Sequence, residues 1–177
     1  MAAARAARAA PLVRDERAGD ADAIREILLA AFGREAEARL VDRLNASGKV
    51  VRSLVAEEEG RILGHVLFSQ IEIGQARLPA LSLAPLAVMP AFQRLGIGSA
   101  LVSAGLQRLR VAGHARVVVV GEPAYYPRFG FVPASRFGLR CPFPAPEEAF
   151  MAIALARDAF RDAAGMVAYG PEFDDLE

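Results

Sequence analysis

The sequence is poor in the features that mark several classes of protein. It has one cysteine, Cys141, and no tryptophan among 177 residues, so it cannot form an internal disulfide and offers no Cys/His cluster for zinc. A lone cysteine is typical of a reducing compartment, and we expect the protein to be cytoplasmic. No apolar run approaches the roughly 20 residues that span a bilayer, so we expect no membrane association.

The sequence also lacks an excess of either charge. Lys plus Arg and Asp plus Glu each total 21, which gives a formal net charge of zero. Nucleic acid and anionic membranes are bound through concentrated positive charge, so neither is expected as a partner. Hydrophobic residues make up 54% of the chain, and its length suits one domain with a sizeable core. The composition therefore favours a single globular domain over a disordered chain.

The chain divides into one predicted domain and two short ends. Residues 1–11 are rich in Ala and Arg and are expected to form a flexible tail, while residues 171–177 are expected to form an acidic, solvated tail. Residues 12–170 carry helix and strand patterns with no linker or repeat. Helical spacing of apolar residues recurs around Ile24 and Leu40, and strand-like runs follow at 53–57 and 62–73. These patterns predict an α/β domain.

The stretch 81–101 reads LSLAPLAVMPAFQRLGIGSAL and contains an apolar strand, a Gly-rich turn and an amphipathic helix in that order. Free N–H groups and the positive end of the helix dipole meet at such a turn, which makes it an anion site. A dinucleotide fingerprint would need Gly where the chain has Leu101, and no Lys-Ser/Thr pair follows as in a nucleotide P-loop. The turn is therefore predicted to bind a different phosphate-bearing ligand.

Pro85 lies inside the predicted strand at 80–88. Proline has no N–H for a sheet ladder, so it marks either an edge strand or a local disruption of the sheet. A central strand disrupted here would separate from a neighbour and leave backbone groups free for a linear ligand. After the helix, Arg116–Gly121 (RVVVVG) is typical of a strand buried on both faces and parallel to its partner. Strand, helix and strand then form a crossover unit, and further strands are predicted at 131–135, 150–156 and 166–169.

The order of these motifs resembles the GNAT superfamily of N-acetyltransferases. The family's pyrophosphate loop has the form Q/R-x-x-G-x-G/A, and the chain has QRLGIG from Gln93. LAVMP at 86–90 resembles the strand end L-x-V-x-P that receives the cofactor arm, and YPRFGF at 126–131 resembles the signature Y-x-x-x-G-F. The likeness extends over residues 12–170, and the double-tyrosine version PAYYPRFGF is similar to a bacterial branch of predicted N-acetyltransferases.

The resemblance implies a fold, a donor and a cofactor site. The fold is the GNAT (acyl-CoA N-acyltransferase) fold, with a mixed, mostly antiparallel central sheet of about seven strands, flanked by helices and splayed at its central strands. The donor is acetyl-coenzyme A (acetyl-CoA) as co-substrate, without a metal. Gly96 and Gly98 would permit close approach of the pyrophosphate, and the pantetheine arm would pair with the strand. The residues implied in binding are Leu86, Ala87, Val88, Gln93, Arg94, Leu95, Gly96, Ile97, Gly98, Ser99, Tyr125, Tyr126 and Phe129.

Acyl transfer to an amine needs two proton movements and stabilisation of an oxyanion. An alkylammonium has a pKa of about 10.4 and a thiol one of about 8.5, so the nucleophile must lose a proton and the leaving thiolate benefits from an acid. Tyr126 falls where the family places its acid, with Tyr125 as the fallback. The N–H of Val88 is the predicted donor to the thioester oxygen.

The general base is left open between two carboxylates. Glu72 lies on the long strand that leads to the central one, and Glu122 follows the RVVVVG strand. His65 lies mid-strand and is expected to be structural, while His114 is expected to face solvent. Many relatives carry an Asn where this chain has Gly121-Glu122-Pro123, so a cofactor contact made by that Asn is not expected here.

The predicted activity is transfer of an acetyl group to a primary amine by direct attack in a ternary complex. The alternative is a non-catalytic acyl-CoA-binding sensor or scaffold with the same fold. The acceptor, a small-molecule amine or a peptide or protein amine, is expected between the early helices and the late loop. An aromatic wall there would favour an apolar or aromatic amine, and its residues would be Phe32, Phe137, Cys141 and Phe143. Exposed late strands also allow a homodimer.

Overall fold

The computed structural model describes residues 10–176 of the chain. Three helices and nine strands occur in it. The helices are α1 (Ala21–Phe32), α2 (Ala36–Ala46) and α3 (Ile97–Val111). The strands are β1 (Leu12–Asp15), β2 (Val50–Glu58), β3 (Arg61–Ile73), β4 (Leu78–Val88), β5 (Arg116–Val120), β6 (Val132–Pro133), β7 (Leu139–Arg140), β8 (Phe150–Ala154) and β9 (Gly165–Ala168).

The strands form a mixed, mostly antiparallel sheet in the order β1-β2-β3-β4-β5-β8-β6, with β9 beside β3 and β7 beside β9. Parallel pairing occurs between β4 and β5 and between β7 and β9. The mixed sheet and its flanking helices confirm the predicted fold class. The strand count of nine exceeds the expected seven because β6 and β7 have only two residues each, too few to produce an alternating pattern in the sequence.

Helices cover both faces of the sheet. On one face, Leu101 and Leu106 of α3 share a core with Val66 and Phe68 of β3. The approach is close, because a Cβ added to Gly105 of α3 would lie 2.4 Å from the Phe68 ring. On the other face, α1 and α2 pack on β2, β3 and β4 through a second core that includes Ile24, Leu28, Leu44, Val55 and Leu67.

The strand β5 runs through the core, with Val117, Val118 and Val119 all at most 1% exposed. Its burial on both faces and its parallel pairing with β4 confirm the interpretation of the RVVVVG run. None of the helices in residues 10–176 is both long enough and apolar enough to cross a bilayer.

The C-terminal segment differs from the solvated tail that its acidic composition predicted. Phe173 is 3% exposed and joins the core beneath α1 and α2. Glu172 is also buried and accepts a hydrogen bond from Lys49 Nζ at 3.0 Å. A single aromatic residue and one ion pair therefore anchor this segment. Of the predicted N-terminal tail, residues 1–9 lie outside the described residues.

Candidate active site between the splayed strands

The strands β4 and β5 separate soon after they meet. Their pairing is limited to Leu81 with Val117 and Ser82 with Val118. Just beyond, the register between β4 and β3 shifts, opposite the segment that contains Pro85. Because β4 has β3 on one side and β5 on the other, it is a central strand. Pro85 therefore marks a local disruption of a central strand and not an edge strand, which was the other alternative that its sequence position allowed.

The main chain at the end of β4 faces the gap left by β5. Met89 donates its N–H to Leu63 O on β3 at 2.9 Å, which makes the adjacent Gly64–Val88 pair a non-hydrogen-bonded one. The N–H and C=O of Val88 therefore point away from β3, towards the gap. Leu86, two residues earlier on the same strand, points the same way.

Ala87 is the exception among the three predicted strand contacts. It lies opposite His65 in the register, so its main-chain groups point at β3 rather than into the gap. The His65 side chain is fully buried, contacts Ser53 Oγ through Nε2 at 2.8 Å, and has a pKa lowered by burial to about 4. It is a neutral core residue, consistent with the structural role expected for it.

The Gly-rich turn presents free amide groups at the start of α3. Gly96 has φ 84° and Arg94 φ 60°, both left-handed, so the turn curls before the helix begins. The first helical hydrogen bond runs from Ala100 N to Gly96 O at 3.0 Å, and no side chain caps the N-terminus. The N–H groups of Ile97, Gly98 and Ser99 thus have no intrahelical acceptor, and the helix dipole adds positive potential there.

Individual residues of the turn contribute in different ways. Gln93 donates its side-chain N–H to Val88 O at 3.1 Å, which ties the turn to the end of β4. The Ile97 side chain is 2% exposed and belongs to the core, so only its N–H faces the site. Beside Gly96, an added Cβ would meet nothing within 4 Å, which leaves open space over the turn. These features fit a bound pyrophosphate.

Tyr125 lies against the start of α3. A Cβ added to Gly98 would be 2.9 Å from Tyr125 Oη, so this glycine makes room for the phenol. Tyr125 Oη is also 3.3 Å from Ser99 Oγ, and its ring meets the Phe129 ring edge-to-face, with the centroids 5.3 Å apart. The Arg128 guanidinium sits 4.4 Å from the ring centroid on Tyr125. Tyr125 thereby connects the aromatic segment to the turn.

Tyr126 is buried next to β5. Its ring packs directly on Gly121, where an added Cβ would lie 2.4 Å from Tyr126 Cε2. The rings of Tyr125 and Phe131 enclose it at centroid distances of 5.1 and 5.6 Å. Burial, with a smaller effect of Tyr125, raises the pKa of the Tyr126 phenol well above its usual value. The hydroxyl therefore stays protonated at neutral pH.

A cavity of about 500 Å³ occupies the gap between the splayed strands. It is lined by residues 82–86 of β4, by residues 120–122 at the end of β5, and by both tyrosines. On the far side it is closed by the α1–α2 region and by late segments of the chain. The lining residues there are Phe32, Arg34, Glu37, Leu40, Phe143, Pro144, Ala145, Tyr169, Phe173 and Leu176.

The predicted aromatic wall is only partly present in this cavity. Phe32 and Phe143 line it, whereas Phe137 stacks on Phe160 at 4.1 Å in a separate core. Cys141 packs against that same core, and burial raises the pKa of its thiol. Phe173 takes the place of these two residues in the wall. Its role was missed because the C-terminal segment carried no signal beyond its acidic composition.

The carboxylates predicted as bases are far apart in the structure. Glu122 is exposed at the cavity rim, where Oε1 accepts the Ala124 N–H at 3.3 Å. Glu72 is paired with Arg77 at 2.7 Å and lines a different cavity. Along β3 it lies eight residues from Gly64, the partner of Val88, which is about 26 Å. The structure does not bring Glu72 to the tyrosines, because β3 carries it to the opposite end of the sheet.

Sequence reasoning missed one buried carboxylate, that of Glu37. Glu37 is 5% exposed and lines the cavity. Its carboxylate oxygens accept hydrogen bonds from Arg34 Nε and Nη2, the shortest of which is 2.6 Å. An acidic residue in the first turn of a helix is usually explained by the helix dipole. The neighbouring residues carry no further signal, because the cavity forms only once the α1–α2 region packs on the sheet.

The second cavity, of about 550 Å³, lies at the other end of the sheet and contains neither Tyr125 nor Tyr126. Its lining includes the polar side chains of Lys49, Glu72, His114 and Arg116, of which His114 is only partly exposed. No group of three or more His, Cys, Asp or Glu side chains within residues 10–176 is arranged to hold a metal ion. Both tyrosines and residues 82–86 of β4 line the first cavity, and Tyr125 connects it to the turn through Ser99.

Comparisons with known proteins agree with this geometry. The family model "Acetyltransferase (GNAT) family" matches residues 21–131. The chain is 39% identical over 164 residues to "Uncharacterized N-acetyltransferase YhbS" of Escherichia coli (strain K12), covering 92% of this chain and 98% of that protein. It is 42% identical over 134 residues to "Uncharacterized N-acetyltransferase YjhQ" of the same strain, covering 73% and 74%.

Two solved structures are similar over nearly the whole chain. The crystal structure of the GNAT family N-acetyltransferase YhbS from Escherichia coli in complex with CoA has a TM-score of 0.89 and 38% identity, covering 96% of each chain. A GNAT family acetyltransferase from Brucella melitensis in complex with acetyl-CoA has a TM-score of 0.78 and 38% identity, covering 92% of this chain and 97% of that one.

Proposed function

The chain belongs to the acetyltransferase (GNAT) family and is an acyltransferase, and from this premise we propose that it transfers the acetyl group of acetyl-CoA to a primary amine by direct attack in a ternary complex. The single observation that carries the proposal is the gap beside β4. Main-chain groups of Val88 face it, the free amides of α3 lie at one end, and Tyr126 lies beside it.

The donor is held by main-chain groups. The N–H groups at the start of α3 bind the pyrophosphate, with Gly96 giving open space over the turn. The pantetheine arm lies along β4, where Leu86 offers it both its N–H and its C=O group and Val88 offers its N–H. Gln93 already occupies Val88 O, so the Val88 N–H remains for the thioester oxygen.

Proton movements are assigned to two side chains. The acceptor reaches the site mainly as an ammonium and loses one proton through water to Glu122, whose exposure lets it pass the proton to solvent. As the N–C bond forms and the C–S bond breaks, Tyr126 donates its phenolic proton to the sulfur. The second proton leaving nitrogen restores Tyr126, so one proton is released per turnover. Glu72 has no part in this scheme.

The rival function is a non-catalytic acyl-CoA sensor with the same fold. The position of Tyr126 in the cavity lining favours the enzyme, because a binding protein has no need of a proton donor at the sulfur. Thermal stabilisation by acetyl-CoA and CoA, but not by NADH, is expected under either function. Release of free thiol that depends on an added amine separates them, and stabilisation by NADH alone would exclude both.

The test of mechanism compares two tyrosine variants. Tyr126→Phe should lower kcat about 100-fold, while the Kd for CoA stays nearly constant. This factor is at the lower end of the range for general acid catalysis, because a thiolate already leaves readily. Tyr125→Phe removes the hydroxyl beside Ser99 and should instead raise the KM for acetyl-CoA. Steady-state thiol release and calorimetric titration of CoA provide the two readouts. Unchanged turnover in Tyr126→Phe would remove Tyr126 from the mechanism.

A further inference from the structure

The half of the cavity that faces away from the α3 turn is closed by apolar side chains. Phe32 ends α1, Phe143 comes from a late loop, and Phe173 comes from the C-terminal segment. Tyr169 packs between Phe143 and Phe173, with ring centroids 4.7 and 4.8 Å away. These rings form a wall from three segments that are remote in sequence. Such a surface binds the apolar body of a ligand through burial and ring stacking.

One ion pair interrupts this wall. The Glu37 carboxylate is nine-tenths buried in the cavity lining, whereas the side chain of its partner Arg34 is 50% exposed. The pair is therefore asymmetric, with its negative end inside and its positive end towards water. Buried carboxylates are costly unless they are satisfied, and further hydrogen-bond donors on a ligand would stabilise this one.

The charges of the lining favour a cation. Among the described lining residues the ionised side chains are Arg34, Glu37 and Glu122, one positive and two negative, which leaves a net charge of −1. A single ammonium neutralises that charge. A carboxylate-bearing acceptor would add to it, and a polyamine would place surplus positive charge against apolar rings.

The volume sets a further limit. The cavity of about 500 Å³ has to contain the thioester end of the donor together with the acceptor. What remains is enough for a small molecule.

From these observations we propose that the acceptor is a small primary monoamine whose remaining part is apolar and about the size of an aromatic ring, and that Glu37 binds its ammonium group before deprotonation. The proposal rests on the function proposed above and names the substrate class of the same site. Glu37 is a binding residue here, and the rings of Phe143, Tyr169 and Phe173 hold the apolar body.

The first test is an amine panel with acetyl-CoA held saturating. Phenethylamine represents the proposed class, spermidine the polyamines, glutamate the acidic amines, and a lysine-containing peptide the protein acceptors. We expect kcat/KM for phenethylamine to exceed that for each of the others by at least about tenfold, since one unmatched charge in such a site costs a tenfold factor or more. A preference for spermidine, glutamate or the peptide would overturn the acceptor class and leave the acetyltransferase function standing.

The second test is Glu37→Gln. It should raise the KM for phenethylamine about tenfold or more at pH 7 and leave the KM for acetyl-CoA unchanged. The increase in the KM for phenethylamine should become smaller as pH rises towards the pKa of the amine, because the amine then loses its charge. A purely structural role of the ion pair predicts no such pH dependence. Glu35→Gln is the matched control, because Glu35 lies two residues away, pairs with Arg39 and is not in the cavity lining.

The outcomes separate the two proposals. Equal KM values for phenethylamine in wild type and Glu37→Gln, with both proteins folded by melting temperature and stabilised by CoA, would overturn the role of Glu37. Binding of acetyl-CoA with no thiol release for any amine would overturn the acetyltransferase function together with the acceptor class. A KM increase in Glu37→Gln alone, not in Glu35→Gln, supports both.

Discussion

The contact between Gly121 and Tyr126 gives the sharpest prediction. In Gly121→Ala the new Cβ would lie 2.4 Å from Cε2, 3.1 Å from Cδ2 and 3.2 Å from Cζ of the Tyr126 ring. Carbon atoms prefer separations of about 3.5–4.0 Å, so the ring edge has to move by about 1 Å. Gly121 itself does not have a left-handed φ, so the perturbation acts through the ring alone.

The size of the effect follows from that displacement. A shift of about 1 Å in a reacting group can cost about 100-fold in rate, which is about 2.7 kcal/mol of activation free energy. Tyr125 and Phe131 enclose the ring, so it cannot move without disturbing the core. Overpacking of this kind costs about 1–3 kcal/mol of stability, or about 2–12 °C in melting temperature for a chain of this size.

The assay measures kcat, the Kd for CoA and the melting temperature of three glycine variants. Gly19→Ala places its Cβ where nothing lies within 4 Å and should match wild type. Gly105→Ala, whose Cβ would be 2.4 Å from the Phe68 ring, should lose stability like Gly121→Ala and keep its rate. Adding Tyr126→Phe to Gly121→Ala should cause little further loss in kcat. Full activity in Gly121→Ala, or additive losses in the double variant, would refute the role of Tyr126 as the positioned acid.

Two further predictions concern the turn and the response to acid. Gly96→Ala puts a side chain on a residue with φ 84°, a strain of about 1–2 kcal/mol, which the turn relieves in the free protein by leaving the left-handed conformation. CoA binding has to restore that conformation and should weaken about 5- to 30-fold by calorimetry, whereas an unchanged Kd would mean that the turn does not contact the ligand. Hydrogen bonds from Arg14 lower the pKa of Asp20 below its usual value. Burial acts in the opposite direction, and the Arg17 N–H adds to the lowering. Because the folded pKa is the lower one, Asp20 stabilises the fold above its unfolded pKa of about 3.9, and this stabilisation is lost as pH falls through the folded value. The melting temperature of wild type should therefore exceed that of Asp20→Asn at pH 7, and the difference should narrow towards pH 3; a constant difference would contradict this linkage.

The elements that the sequence predicted well are those set by neighbouring residues. Helical spacing around Ile24 and Leu40, and the strand runs before Gly96, depend on contacts within a few residues, and the bounds of α1, α2, β3 and β4 follow them closely. The short strand β7 was missed and the predicted strand at 131–135 shrank to Val132–Pro133. These segments pair through tertiary contacts and have too few residues for a period.

Part of the proposed donor half of the site could also be predicted from the sequence. The free amides before Ala100 are backbone features of one continuous stretch, so residue spacing is enough to predict them. At Pro85 the sequence left an edge strand and a disrupted strand as alternatives, and only the position of β4 between β3 and β5 decides for the disrupted strand. The orientation of the Ala87 main chain could not be predicted in this way, because the direction of its N–H and C=O groups depends on the register with His65 across the sheet. Register is a property of two strands and cannot be read from one of them.

The sequence by itself determined a Gly-rich turn with free amide groups and the strand that leads into it, since both depend on one short continuous stretch. It also carried the resemblance to the GNAT family, through motifs that lie along the chain. Only the tertiary structure decided which acid side chains share the cavity. Glu72 lies at the far end of β3 and Glu37 lies inside, although nothing in their local patterns distinguishes them. Likewise Phe173 closes the wall while Phe137 packs elsewhere. The acceptor side is assembled from segments that are distant in sequence, and their meeting is set by how the helices and the C-terminal segment pack on the sheet.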